Sequence, residues 1–286
     1  MKNESGNRKR HVMLVLTILV LLSLCGLKLA ERFWHIRKYD AMGETDASEP
    51  EGTEPKGPAE PGEAESKETE AFDPDAARHI DFEALKARNE DVVAWLLIPG
   101  TVINYPVLWK AHDNEYYLHR DIDRREGSYE GVFLDGDSAP DFSSRQNLFY
   151  GHHMKNKTMF TAICDFKDER FFREHRRVYL YTPEHTYVLR PMACLYTSAT
   201  AEKRRVEFAD QIEFDAYVDE MTKGCSFREI PNGGVAQLFS FVTCSYEFQD
   251  ARTILYCYEV DADGNPVTGE EWESRHPVRG AAPYEK

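Results

Sequence analysis

Three residues of this chain could together carry out acyl transfer. Cys244 closes the apolar run Leu238-Phe-Ser-Phe-Val-Thr-Cys244, and Arg252 stands eight residues on, directly before the apolar run Thr253–Val260. Both runs have the Phe, Val, Ile and Tyr content of buried strands. If they are antiparallel neighbours, thiol and guanidinium lie at one edge of the sheet. A cation beside a cysteine favours the thiolate, the form that attacks carbonyls. Far upstream a third apolar run, Asn147-Leu-Phe-Tyr150, stops at Gly151-His152. A nucleophile, a proton donor and an oxyanion holder are thus each placed just outside a core strand. Singly, each has a plain explanation: a buried strand cysteine, a turn histidine, and a surface arginine paired with Glu247 or Asp250. The order also counts. His152 precedes Cys244 by 92 residues, the reverse of the papain arrangement, and the papain and caspase signatures are missing.

The elements that must position these residues are short. Asp81 to Asn89 has the form of a capped helix with Phe82 and Leu85 inward. Asp91–Ile98 and Val102–Leu108 are strand-like on either side of the Pro99-Gly100 turn, and Pro106 marks an edge or bulge in the second. Ala111–Leu118 is expected as a loop or short helix. Gly131–Leu134 and Asn147–Tyr150 are expected as strands. Met159–His175 has helical spacing, with Phe160, Ile163, Phe171 and Phe172 buried. Strands are expected at Val178–Tyr181 and Thr186–Tyr196, then an amphipathic helix at Gln211–Met221. Many short strands and few helices, without βαβ alternation, point to a mainly β protein with flanking helices. Its expected form is a closed or nearly closed mixed barrel. Asp261–Lys286 is polar, with Gly and Pro, and is expected as a loose tail.

The bulk numbers narrow the class. The net charge of −15 over 286 residues argues against a nucleic-acid role, which needs a basic face. Ten Asp/Glu against two Lys between Gly43 and Ala71 place −8 of that charge in one stretch. That stretch belongs to a Glu/Pro/Gly/Ser/Thr-rich segment, residues 40–74, that cannot bury enough surface to fold and is expected as a disordered tether. Before it, basic Lys2, Arg8, Lys9 and Arg10 precede the uncharged run Val12–Leu27. The expectation is an uncleaved anchor at about residues 12–30 with its N-terminus inside. A cleaved signal peptide is the alternative. The six cysteines form no CxxC pair, so zinc-ribbon and thioredoxin-like sites are not indicated. Cys194 and Cys257 lie inside apolar strands and are expected in the core. Cys164 is expected as a helix packing residue.

Tyr150-Gly-His-His-Met154 and Thr158-Met-Phe160, followed by Thr243-Cys244 and Arg252, resemble the class B sortases, membrane-anchored cysteine transpeptidases of Gram-positive bacteria. Ile98-Pro-Gly100, Ile103-Asn-Tyr-Pro-Val107, Tyr116-Tyr-Leu118 and Gly131-Val-Phe-Leu-Asp135 fit the same pattern, so the resemblance covers roughly Phe82 to Val260. It implies a sortase-type closed barrel of about eight strands, with an N-terminal helix and a helix in the loop before the cysteine strand. The implied layout is a stub and anchor at 1–39, linker 40–74, extracellular catalytic domain 75–262 and polar tail 263–286. It implies cleavage of a C-terminal sorting motif of secreted proteins after Thr, through a thioester, and transfer to a lipid-linked or cross-bridge peptidoglycan amine. The resemblance assigns catalysis to Cys244, His152 and Arg252, leaving His153 toward solvent or the loop. Thr243, Asn104 and Ser245 are expected to bind substrate. No metal and no cofactor are called for. The family usually has Thr-Leu-x-Thr-Cys, whereas this chain has Ser240-Phe-Val-Thr-Cys244, with a bulkier apolar residue expected to line the groove. A pilin-polymerising sortase and a tethered binding protein without activity stay open as alternatives.

Overall fold

The computed structural model describes residues 77–199, 204–225, 227–247 and 249–276, together with Asp75 and positions 13, 17, 23, 27, 30, 37–39 and 42. Its strands are β1 (Val92–Leu97), β2 (Asn104–Trp109), β3 (Val132–Leu134), β4 (Gln146–Gly151), β5 (Val178–Tyr181), β6 (Thr186–Ser198), β7 (Leu238–Cys244) and β8 (Ala251–Val260). They close into a barrel in the order β1-β2-β3-β4-β7-β8-β6-β5. The closed barrel expected from the many short strands is what forms. β2 with β3 and β4 with β7 are parallel pairs, and the other neighbours are antiparallel. The β4–β7 pairing brings the histidine run beside the cysteine strand.

Side chains alternate between the two faces of each strand. Phe149 of β4, Phe241 of β7 and Leu255 of β8 point into the barrel and are fully buried. The Phe149 and Phe241 rings lie 4.9 Å apart at 20°, and Phe160 meets Phe241 edge-on. Val242, Ile254 and Tyr256 point outward, under a second apolar layer built from Phe214, Val218 and Met221. These three lie on α3 (Gln211–Thr222), which the Asp210 carboxylate caps by accepting from Glu213 N–H. α1 (Phe82–Arg88) begins where Asp81 Oδ1 accepts from Ala84 N–H at 2.9 Å. Pro106 lies ahead of the first β2–β3 partner, Val107, so its missing N–H costs no bond to β3.

Two local expectations change. The helix expected over Met159–His175 is two pieces, a 3-10 segment Phe160–Lys167 and then α2 (Glu169–Glu174). The break is at Asp168, whose carboxylate accepts from Phe171 N–H at 3.0 Å and starts a new helix instead of continuing the old one. The C-terminal stretch expected to be loose contains α4 (Gly269–Arg275), opened by a reciprocal capping box between Thr268 and Glu271. Arg275 ties it to the barrel through two bonds to Glu259, of 2.7 and 2.6 Å.

The expected anchor and the linker at 40–74 lie largely outside the described residues. Among those described, no helix is long and apolar enough to cross a membrane. Tyr39 is nevertheless buried against Tyr105, ring edge to face at 5.0 Å, and Lys38 Nζ lies 2.8 Å from Glu130 Oε2.

Candidate active site

The sheet register assembles the residues. Cys244, last in β7, is the direct partner of Arg252 in β8. Residues opposite one another in an antiparallel pair project to the same face, and this is the outer face, shared with Val242 and Ile254. On the other side of β7, Tyr150 pairs with Val242. His152, two residues past Tyr150, is thereby brought level with Cys244. The strand ends there because Phe160 N–H takes the His152 carbonyl at 3.0 Å and turns the chain back. Gly151 is required at this corner: a Cβ on it would lie 2.5 Å from the Phe160 ring.

The His152 ring is held in an aromatic slot. Tyr129 meets it edge-on at 5.2 Å, His119 stacks at 6.4 Å, and Nε2 lies 2.6 Å from the Leu118 carbonyl. A carbonyl accepts only, so Nε2 carries a proton and Nδ1 is the position that exchanges one. Burial pushes the His152 pKa below its usual range. The Leu118 carbonyl pulls the other way, and His119 adds to the lowering. Arg252 Nη1 donates to the Ala251 carbonyl at 3.1 Å. The Glu247 partner considered for it is engaged by Lys167 instead.

Below this triple the outer face opens into a cavity of about 290 Å³ between the sheet and the end of α3. Val242 and Ile254 floor it next to Cys244 and Arg252, with Leu148 behind and Glu220 and Met221 above. Gln146 and Ser240 are joined at its base by a 3.2 Å bond, and Tyr217 donates to Gln146 Oε1 at 2.8 Å. The bulkier residue expected to line the groove does not. Phe241 points into the barrel, and Val242 presents the smaller surface outside.

The other expected site residues have contacts of their own. Alternation turns Thr243 to the inner face, where it is 2% exposed and its Oγ1 donates to the Gly151 carbonyl at 2.8 Å. Ser245 is likewise on the opposite face from Cys244, 5% exposed, with an unpartnered hydroxyl. Asn104 Oδ1 accepts from the Trp95 indole at 2.6 Å. His153 does not turn to solvent: its Nδ1 lies 3.0 Å from the Cys244 carbonyl, because β4 leaves the sheet there. The described cysteines 164, 194, 225, 244 and 257 are all free. Cys194 and Cys257 are core residues, and burial holds both thiols well above their ordinary pKa. The aromatic slot around His152 and the place of Cys164 carry no sequence signal. Both depend on loops meeting across the barrel rim.

No family model matches the chain. It is 27% identical over 139 residues to sortase B of Staphylococcus aureus, a match covering 49% of this chain and 57% of that protein. To sortase B of Listeria monocytogenes it is 26% identical over 174 residues, 60% of this chain and 70% of the relative. The crystal structure of Clostridium perfringens sortase B superposes with a TM-score of 0.59 at 25% identity, covering 63% of this chain and 100% of that one. In sequence and in fold the chain is similar to class B sortases. The S. aureus match spans little more than half the length of that relative. α4 begins after Val260, where the likeness seen in the sequence motifs ends.

Proposed function

We propose that this chain is a class B sortase, a membrane-tethered cysteine transpeptidase. It cleaves a C-terminal sorting motif of secreted proteins after Thr and transfers them to a peptidoglycan-linked amine. The observation that carries the reading is the register pair Cys244↔Arg252, with His152 brought level with it at the head of an outer groove. The Cys244 thiolate attacks the Thr carbonyl carbon, and the carbonyl electrons move onto oxygen. Arg252 holds that oxyanion. As the tetrahedral intermediate collapses the C–N bond breaks, and His152 as imidazolium gives its Nδ1 proton to the departing amine. A thioester on Cys244 remains. The acceptor amine adds to it, His152 takes back a proton, and Cys244 leaves as thiolate while a new amide forms. Burial around His152 works against its protonated form, so the productive imidazolium depends on the negative charge of the Cys244 thiolate to offset that cost.

The location follows the chemistry. An anchor at about residues 12–30, the acidic linker 40–74 and the catalytic domain 75–262 outside the membrane would let the enzyme meet secreted proteins and a lipid-linked acceptor on one surface. The test is transfer, not cleavage alone. Full-length protein in detergent is given sorting-motif peptides of Asn-Pro-x-Thr-x and Pro-x-Thr-Gly type with an oligoglycine amine. The expected product is an amide joining Thr to the amine. Hydrolysis without any transfer product at saturating amine would contradict the transpeptidase reading.

A further inference from the structure

We infer that His153, the second histidine of the pair, is a positioning residue for the nucleophile: it supplies the hydrogen-bond donor that β4 no longer offers to the Cys244 carbonyl. The inference rests on Cys244 being the attacking group.

The β7–β8 ladder sets the direction of the Cys244 carbonyl. Ser245 N–H donates to the Ala251 carbonyl at 2.9 Å, so the backbone of Ser245 faces β8. Backbone groups of successive strand residues face opposite sides, and the Cys244 carbonyl therefore faces β4. The last β4–β7 pair is Tyr150↔Val242. Beyond it the His153 backbone bridges to Met159 instead, and no main-chain donor of β4 continues the ladder. Side chains take over in both directions. Thr243 Oγ1 donates to the Gly151 carbonyl at 2.8 Å, and His153 Nδ1–H donates to the Cys244 carbonyl at 3.0 Å. A buried strand carbonyl, like a buried N–H, is normally paired.

The peptide unit between Cys244 and Ser245 is thus held at both ends, its N–H by Ala251 and its oxygen by His153. That fixes the backbone angle after Cys244, and with it the direction of the thiol and of the Ser245 N–H. The clamp is itself supported. The Tyr246 ring packs on His153 at 4.7 Å, and its hydroxyl lies 3.4 Å from the His153 carbonyl. Cys164 Sγ sits 3.5 Å from Nδ1 and 3.5 Å from Thr253 Oγ1. Burial raises the Cys164 pKa and keeps a neutral thiol, which can donate to Thr253 Oγ1 and to the Cys244 carbonyl, 3.8 Å away, as a weaker second donor beside His153. The turn after Cys244 is further tied down where Lys167 pairs with Glu247. None of these groups lines the outer groove, so loss of the clamp moves turnover and not substrate affinity.

The experiment compares H153N, H153Q and H153L in the full-length protein. Asn places an amide donor where Nδ1 stands, Gln carries its donor one atom farther out, and Leu has none. Thioester formation with a sorting-motif peptide is followed for kcat and KM, and hydrogen exchange is followed at the Ser245 amide. H153N is expected to stay near wild type. H153Q and H153L are expected to lose about tenfold or more in kcat with KM within about twofold, a misplaced nucleophile being costly in rate. Ser245 exchange should rise in parallel. Wild-type kcat in H153L, or equal loss in H153N and H153Q, would overturn the inference. If wild type forms no thioester at all, the transpeptidase reading fails by itself. Ser245 exchange then decides the clamp, and unchanged exchange in H153L removes it.

Discussion

The two faces of the sheet at the end of β7 make a direct comparison. Outside, Cys244, Arg252 and His152 stand over a cavity, with His152 between Tyr129 and His119. Inside, one residue away on each strand, Thr243 and Thr253 are sealed over a stack of phenylalanines. The same three strands supply both. The period of two lets adjacent residues serve chemistry and packing without sharing a role, and the close packing of the inner face holds the outer groups in register. Packing lies within the barrel, and the groups proposed to react lie on its outer face.

That contrast predicts a ranking of effects. On the outer face, Cys244→Ala should abolish the thioester and all transfer, read by intact mass and by product formation. Arg252→Lys keeps a charge but loses the fork geometry. It should cost about a hundredfold in kcat, the scale of a lost oxyanion donor, with little change in melting temperature. On the inner side the effects reverse. Gly151→Ala drives a Cβ into the Phe160 ring at 2.5 Å and should cost about 1–3 kcal/mol of stability, measured by denaturant midpoint. The smallest effect concerns pH. The folded-state pKa of His152 lies below its unfolded value because burial disfavours the charge. Between the two values the unfolded chain binds more protons, so stability falls as pH drops through that window. His152→Phe should flatten the wild-type decline in melting temperature between pH 7 and 5. An unchanged slope would contradict the burial account.

The sequence shows some of these relations and hides others for physical reasons. Cys244 and Arg252 are eight residues apart on adjoining apolar runs, and a hairpin brings such residues together by local geometry. The strand positions and α3 are likewise set by period and composition. Thr268 and Glu271 have the spacing of a capping box, but the polarity of the surrounding stretch points to a tail and not to α4. The break at Asp168 does not show in the sequence, because continuous apolar spacing surrounds the capping residue. What could not be seen is what depends on two distant loops meeting. The parallel β4–β7 pairing turns His153 toward Cys244. Leu118 and Tyr129, from before β3, form the slot for His152. Periodicity places a side chain on a face and says nothing about which loop arrives there.

The central claim is that the thiol on the outer face at the end of β7 forms the acyl intermediate. The most direct measurement is the mass of the full-length protein after brief incubation with the sorting-motif peptides, with the modified residue located by fragmentation. The account predicts an added mass equal to the peptide up to its Thr, carried on Cys244, absent in Cys244→Ala and discharged by an added amine. An adduct that persists in Cys244→Ala, or a Cys244 that alkylates readily yet acquires no acyl group from any of the peptides, would contradict it.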